Sequence, residues 1–142
     1  GTVKALPDVP DKTFAEKVLG DGAAIIPEEG KVYAPADGTV ANIMDSKHGI
    51  MFVTDSGAEV LIHIGLDTVN LKGKYFKSYV SDGDKVKKGT LLVEFDLEAI
   101  KGEGYNLITP MVVTNISDYI KAVCMEKENT AINAGDKFLT VV

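Results

Sequence analysis

This sequence has little cysteine and no long apolar runs, and its basic residues are fewer than its acidic ones, 15 against 21. Cys124 is its single cysteine, so the chain cannot form an internal disulfide, and a reducing compartment such as the cytoplasm is expected. Apolar runs stay well below the roughly 20 residues that a membrane-spanning helix needs. The formal net charge of −6 argues against nucleic-acid binding, which requires a basic face to neutralise phosphates. We therefore expect a cytoplasmic protein that binds no nucleic acid and does not itself insert into a membrane.

The composition that remains is that of a globular domain. The chain has 142 residues, of which 45% are hydrophobic, and this suffices for a single domain over residues 1–142. Short β-forming runs alternate with Gly-Asp turns, which predicts an all-β protein, an antiparallel β-sandwich or barrel with short helical turns. One spacing recurs, as Val86, Gly89 and Leu92 and again as Ile132, Gly135 and Phe138. Two related β-units packed together would explain it, as would chance over so few positions.

The individual elements follow from apolar periodicity and from Gly, Pro and Asp punctuation. We predict helical turns over 14–19 and 96–101, a loop over 70–74, and strands over 23–26, 31–34, 39–44, 50–54, 59–64, 75–80, 90–95, 111–114, 120–125 and 138–142. Residues 2–6 resemble the end of a strand whose beginning is absent. The domain is therefore expected to be trimmed at its N-terminus from a longer polypeptide.

Both histidines of the chain, His48 and His63, lie fifteen residues apart on the two strands of a predicted hairpin. The runs 50–54 and 59–64 are rich in Ile, Val and Phe, as strands prefer, and the Asp-Ser-Gly sequence between them is typical of a turn.

The loop length of this hairpin decides whether the two rings meet. A two-residue loop of Ser56 and Gly57 would place one set of side chains on a common face, namely His48, Ile50, Leu61, His63 and Gly65. A four-residue loop would set the histidines directly opposite each other, whereas a three-residue loop would send them to opposite faces.

A pair of histidines with acidic and hydroxyl neighbours supports two kinds of chemistry. One neutral imidazole could take a phosphoryl group as a nucleophile while the other stabilises it by hydrogen bonding. The same pair could hold a divalent metal, with a third ligand from Asp67 or from a partner. Gly49 and Gly65 lack side chains and are expected to leave open space beside the rings. Asp67 either stabilises its own turn or forms a negative rim for a basic partner.

The residues around the histidines also resemble a known family. Residues 60–69, with the sequence Val-Leu-Ile-His-Ile-Gly-Leu-Asp-Thr-Val, and His48 before them are similar to the glucose-type IIA domain of the bacterial sugar phosphotransferase system. The resemblance covers nearly the whole chain, through segments 9–17, 20–22, 33–40, 89–96 and 109–115. It implies a β-sandwich of two related halves that needs no cofactor and no metal, although zinc could still bind at His48 and His63 adventitiously or as a regulator.

The resemblance also implies a role for each site residue. His63 would accept phosphate on Nε2 from the phosphohistidine of the carrier HPr and pass it to a cysteine of a IIB domain during sugar uptake. His48 would support the transfer without being the acceptor, and Ser46 would supply the hydroxyl that orients the His48 ring. Partners, regulatory proteins among them, would dock on an apolar depression with an acidic rim, formed by Asp11, Phe14, Leu19, Met44, Met51, Leu61, Gly65, Asp67 and Val69.

Two features depart from the family's pattern. Several apolar rim positions that are often aromatic in the family are Met or Leu here, which keeps the surface hydrophobic but changes the fit of a partner. The strand that usually opens the domain is missing. This fits a domain excised from a fused transporter. In the full-length transporter the domain would be tethered to a membrane permease.

Three alternatives to a phosphoryl carrier stay open. A biotinyl- or lipoyl-type carrier would explain segments 37–40 and 84–89 with Lys101 as the modified lysine, although Met does not flank that lysine and such a carrier needs no histidines. A zinc hydrolase would use the histidine pair but lacks an evident third ligand. A regulatory binding module is compatible with the phosphoryl relay.

Overall fold

The computed structural model describes residues 2–16, 20–115, 122–124 and 139–141. Within these ranges the chain is built mainly of short strands: β1 (Thr2–Ala5), β2 (Asp21–Ile26), β3 (Lys31–Tyr33), β4 (Gly38–Ile43), β5 (Gly49–Thr54), β6 (Glu59–His63), β7 (Phe76–Ser78), β8 (Lys85–Val86), β9 (Leu91–Phe95), β10 (Thr109–Val113), β11 (Ala122–Cys124) and β12 (Leu139–Val141). Helical structure consists of α1 (Lys12–Ala15), α2 (Leu97–Gly102) and two 3-10 turns, Leu6–Asp8 and Thr68–Leu71.

The strands form antiparallel sheets, as the sequence predicts. A seven-stranded sheet has the order β1-β2-β10-β6-β5-β4-β8, a three-stranded sheet has the order β3-β9-β7, and β11 pairs with β12. The two larger sheets share one hydrophobic core, to which both contribute buried side chains. This arrangement is a β-sandwich. The second copy of the predicted sequence repeat, at 132–138, lies outside the described residues.

The large sheet is covered on both faces, and this decides where its side chains go. One face packs on the main core through Val40, Ile50, Phe52, Val60 and Ile62. The other face carries a smaller cluster, in which Leu61 and Val112 pack against Leu6, Val9 and Phe14 from the N-terminal segment. Burying a side chain the size of Phe14 stabilises the fold by about 2–3 kcal/mol.

The hairpin of β5 and β6 exists, but its loop has three residues rather than two. Ile50 pairs with Ile62 and Met51 with Leu61, and the N–H of Thr54 donates to the carbonyl of Ala58 at 2.9 Å, which leaves 55–57 as the loop. Gly57 closes this loop at a φ of +99°, a conformation that glycine adopts without strain. The common face predicted for Ile50 and Leu61 is therefore wrong. Ile50 points into the main core, whereas Leu61 lies on the opposite face with Met51.

The other boundaries differ from prediction by a few residues. The helical turn that was predicted over 96–101 is α2, with Asp96 as its N-cap: its side chain accepts from the N–H of Ala99 at 3.1 Å. In α1, a single turn forms where the Asp11 carbonyl accepts from the N–H groups of Phe14 and Ala15, and the predicted continuation over 17–19 lies outside the described residues. The predicted loop over 70–74 begins inside a 3-10 turn.

Candidate functional site

His48 and His63 lie side by side on the face of the large sheet that carries the smaller cluster. Their ring centroids are 4.8 Å apart, and the ring planes meet at 81°. A three-residue loop was expected to separate them, so the reason for predicting a pair was incomplete. His48 precedes the first residue of β5 and follows Lys47, whose φ is +59°. Because this turn lies outside the strand, the alternation of strand side chains does not fix the direction of the His48 ring.

The ring of His63 is held by a backbone carbonyl two residues further along the chain. Its Nδ1 lies 2.6 Å from the carbonyl oxygen of Gly65. A carbonyl oxygen can only accept, so the neutral ring carries its proton on Nδ1 and its lone pair on Nε2. The Phe14 ring packs against His63 with centroids 5.1 Å apart. The hydrogen bond to Gly65 leaves Nε2 as the ring nitrogen with a free lone pair.

The ring of His48 is held by a side chain instead. It is only 3% exposed, and its Nδ1 lies 2.9 Å from Oγ of Ser46. A hydroxyl can donate or accept. When the Ser46 hydroxyl donates, the His48 proton is on Nε2 and can be offered to an anionic group beside His63. The contact between Ser46 and His48 implied by the family resemblance is therefore present.

The surroundings of both rings favour the neutral form. Burial, and to a smaller extent the neighbouring His63, lower the pKa of His48 to about 4. Burial also lowers the pKa of His63, although the Gly65 carbonyl and the charges of Asp11 and Asp67 act in the opposite direction. A neutral imidazole is the nucleophilic form, so burial favours the form of His63 that can react.

The two glycines beside the rings do not leave the open space that the sequence predicts. A Cβ on Gly49 would lie 2.5 Å from Sδ of Met44, whose side chain already fills that space. A Cβ on Gly65 would lie 2.7 Å from Cγ2 of Thr68 and 3.0 Å from the carbonyl oxygen of Asn106. Both glycines permit close packing around the histidines rather than entry of a partner.

The predicted docking residues surround the histidines at different depths. Met44 and Val69 are large hydrophobic side chains that remain 41% and 52% exposed. Phe14, Leu61 and Gly65 are buried and Met51 is half-buried. Leu19 lies outside the described residues.

The two acidic positions of the predicted rim flank this surface. Asp67 is exposed and Asp11 is half-buried, and both act electrostatically on His63. Asp67 stands at the N-cap position of a 3-10 turn, but its side chain makes no capping hydrogen bond there. This favours a role as a negative rim over a role in stabilising the turn.

Thr68 contacts this site although no pattern in the sequence singled it out. It is fully buried and donates its hydroxyl hydrogen to the carbonyl of Ile64. The Asp-Thr pair after a glycine is a weak turn signal that could have drawn attention to it.

The structure also bears on the alternatives to a phosphoryl carrier. Among the described residues, no three His, Cys, Asp or Glu side chains are grouped so that they could hold a metal ion. Lys101 lies in the last turn of α2, not in a turn between two strands, which argues against the modified lysine of a biotinyl or lipoyl carrier. The helices in the described part of the chain are all too short or too polar to span a membrane.

Comparison with known proteins gives a consistent result. The model of the family described as phosphoenolpyruvate-dependent sugar phosphotransferase system, EIIA 1, matches residues 1–119. The glucose-specific EIIA component of Halalkalibacterium halodurans is 46% identical over the whole chain, which covers 81% of that relative. The beta-glucoside-specific EIIBCA component of Bacillus subtilis is 53% identical over 84% of the chain, which spans only 20% of that relative.

A solved structure extends the comparison to three dimensions. Glucose permease IIA from Mycoplasma capricolum superimposes with a TM-score of 0.86 at 33% sequence identity, covering 98% of this chain and 88% of that one. The antiparallel sandwich described above is thus the fold of that structure.

Proposed function

The chain belongs to the EIIA 1 family of the phosphoenolpyruvate-dependent sugar phosphotransferase system, and on this premise we propose that it carries a phosphoryl group on Nε2 of His63 during sugar uptake. The observation that carries the proposal is the 2.6 Å contact between Nδ1 of His63 and the Gly65 carbonyl. This contact leaves the lone pair on Nε2, where an in-line attack on phosphorus begins.

The transfer from the phosphohistidine of HPr to His63 needs no general base. The bond between phosphorus and the donor's ring nitrogen breaks while the bond from phosphorus to Nε2 of His63 forms. The Nδ1 proton of His63 stays in its hydrogen bond to the Gly65 carbonyl throughout. As the His63 ring gains positive character, that carbonyl and the nearby Asp11 and Asp67 stabilise it.

His48 supplies the hydrogen bond to the transferred group. Its ring meets that of His63 edge-on at 4.8 Å between centroids, so its Nε2–H can donate to a phosphoryl oxygen on His63. Preorganised donors of this kind stabilise the charge of the transition state without reorganisation. In this role the Ser46 hydroxyl, whose Oγ lies 2.9 Å from Nδ1 of His48, donates to Nδ1, so that the His48 proton is on Nε2.

The apolar surface around the histidines serves two successive partners. Exposed Met44 and Val69 would be covered by HPr during loading and by a IIB domain during delivery, when the Nε2–phosphorus bond breaks and a phosphorus–sulfur bond to a IIB cysteine forms. Excluding water from the docked complex protects the phosphohistidine from hydrolysis. Relatives that carry EIIA with EIIB and EIIC in one chain, such as the beta-glucoside-specific EIIBCA component, support IIB as the acceptor.

Incubation with phospho-HPr tests the proposal directly. We expect one acid-labile phosphate on the wild-type protein, located on Nε2 of His63 by peptide mapping and ¹⁵N NMR of the ring. His63→Gln should take up no phosphate, while His48→Gln, which keeps the nucleophile, should still be labelled. Labelling of His48, or of His63→Gln, would exclude His63 as the carrier.

A further inference from the structure

Thr68 is a polar residue in an apolar position. Its side chain has no exposure to solvent, and only His48 joins it as a buried polar residue among the residues described here. A buried hydroxyl needs a hydrogen-bond partner to offset its lost hydration. Thr68 finds that partner in the carbonyl of Ile64, one residue after His63.

The peptide groups of Ile64 join the two histidines to Thr68. The N–H of Ile64 donates to the carbonyl of His48 at 2.6 Å, and the carbonyl of Ile64 accepts from the Thr68 hydroxyl. Two residues further on, the N–H of Leu66 donates to the carbonyl of Asn106 at 2.9 Å. The backbone on both sides of Gly65 is therefore anchored, with Thr68 providing one anchor.

The methyl group of Thr68 also restricts the backbone conformation of Gly65. Gly65 has a φ of +73°, and a Cβ built on it would lie 2.7 Å from Cγ2 of Thr68. The methyl group thus packs directly under the Gly65 backbone. A glycine has wide backbone freedom by itself, so this packing and the Ile64 anchor together restrict the direction of its carbonyl.

We infer that Thr68 is a positioning residue, which holds the Gly65 carbonyl against Nδ1 of His63 and so keeps the Nε2 lone pair available for phosphorus. Thr68 does not touch the reacting atoms; it acts through the turn between His63 and itself. The expected effect on phosphoryl transfer rests on the proposed function, whereas the effect on the His63 tautomer does not.

Thr68→Val and Thr68→Ser separate the two groups of the side chain. Valine keeps a methyl group in place of Cγ2 but cannot donate to Ile64, whereas serine keeps the hydroxyl and loses the methyl group. For Thr68→Val we expect ¹⁵N spectra in which His63 is a mixture of Nδ1–H and Nε2–H forms, and phosphoryl uptake from HPr that is slower by about five- to tenfold, as the loss of one hydrogen bond implies. Thr68→Ser should keep the Nδ1–H form.

A control variant removes the same type of hydrogen bond, from a threonine hydroxyl to a backbone carbonyl, at an exposed position. Thr90 donates from Oγ1 to the carbonyl of Lys87 at 2.7 Å, in the turn before β9 of the smaller sheet. Thr90→Val should leave both the His63 tautomer and the uptake rate unchanged. A destabilised Thr68→Val protein whose folded form still holds His63 as Nδ1–H would overturn the inference, because Thr68 would then have a structural role only.

Two further comparisons separate a failure to fold, and a failure of the proposed function, from a failure of this inference. If Thr68→Val does not fold, comparing Thr68→Ser with Thr68→Ala removes the hydroxyl alone: an unchanged tautomer in the alanine variant contradicts the inference, and a shifted one supports it. If the wild-type protein takes no phosphate from HPr, the proposed function fails, yet the tautomer spectra still decide the role of Thr68.

Discussion

Two turns flank the β5–β6 hairpin, and they hold their histidines by different means. In the turn before β5, His48 is oriented by the hydroxyl of Ser46. In the turn after β6, His63 is oriented by the carbonyl of Gly65. A carbonyl oxygen accepts only, so it fixes one tautomer, whereas a hydroxyl can reverse its role and permits either.

This difference matches the tasks that we propose for the two rings. The ring that forms a covalent bond must present the same nitrogen in every cycle, and a backbone acceptor ensures this. The ring that assists must hydrogen-bond a phosphoryl group that is present in one state and absent in the other. A partner that can both donate and accept lets His48 remain hydrogen-bonded in both states. The predictions below test this contrast, from the largest expected effect to the smallest.

His48→Gln should impair delivery far more than loading. During delivery an anionic thiolate approaches an anionic phosphoryl group, so a hydrogen-bond donor matters more than during attack by the neutral His63. The glutamine amide can still donate, but it is not held in the direction of the His48 Nε2–H. We therefore expect transfer to a IIB domain to slow by about 100- to 1,000-fold, the usual cost of losing a preorganised donor, and uptake from phospho-HPr to slow by less than about tenfold. Rapid-quench measurement of the two half-reactions checks this. Equal losses of rate in both would contradict the assisting role proposed for His48 in delivery.

Gly65→Ala should displace the backbone carbonyl that orients His63. Alanine at a φ of +73° is strained, and its methyl group would meet Thr68 and the Asn106 carbonyl. We expect a loss of about 2–4 kcal/mol in the free energy of unfolding, from strain and crowding together, and uptake of phosphate slowed by about 100-fold.

Gly57→Ala is the matched control for this variant. Gly57 also has a positive φ, of +99°, but a Cβ there would meet nothing within 4 Å. It should lose only about 1 kcal/mol of stability and transfer phosphate normally. Urea denaturation of both variants that gives the same loss would show that crowding at Gly65 contributes nothing.

Ser46→Ala should remove the hydroxyl that orients His48. His48 would keep its place but lose the partner that orients its proton, so delivery to a IIB domain should slow by about five- to tenfold. Loading should change little, and Ser46→Thr, which retains the hydroxyl, should deliver at the wild-type rate. If Ser46→Thr is as slow as Ser46→Ala, the hydroxyl does not orient His48.

The smallest effect should appear in the dependence of stability on pH. Burial lowers the pKa of His48 to about 4 and also lowers that of His63, while the unfolded chain binds protons on histidine near pH 6.5. Between these values the unfolded state holds more protons, so stability should fall as the pH drops from 6.5 towards 4. Urea midpoints at pH 7 and 5 should differ less in His48→Gln than in the wild-type protein; an unchanged difference would mean that the buried ring contributes nothing.

Local signals in the sequence predicted most of the elements. The Asp-Ser-Gly sequence between two β-branched runs marks the hairpin, and Asp96 before a short helical run marks the start of α2, because both signals depend on neighbouring residues alone. The face of each hairpin strand was not predictable from the same signals. One additional loop residue moves Ile50 from one face to the other, and the sequence alternation fits either register.

The packing around the histidines depended on how the turns beside them fold, which the sequence pattern does not specify. Gly49 and Gly65 read as open space in the sequence, but Met44 fills the first and Thr68 with Asn106 crowds the second. A missing side chain shows only that close approach is allowed, not which neighbour approaches. Thr68 escaped notice because a threonine after an aspartate is common in exposed turns, and only its burial distinguishes it.

The sequence by itself determined the chemistry that this protein can perform: two histidines, a hydroxyl and two carboxylates in a chain that matches the IIA family. The tertiary structure alone decided which nitrogen of His63 is free and which oxygen contacts the ring of His48. The reason is that each oxygen reaches Nδ1 through the backbone of a turn, with a positive φ at Lys47 in one and at Gly65 in the other, and local sequence does not fix the direction of these groups.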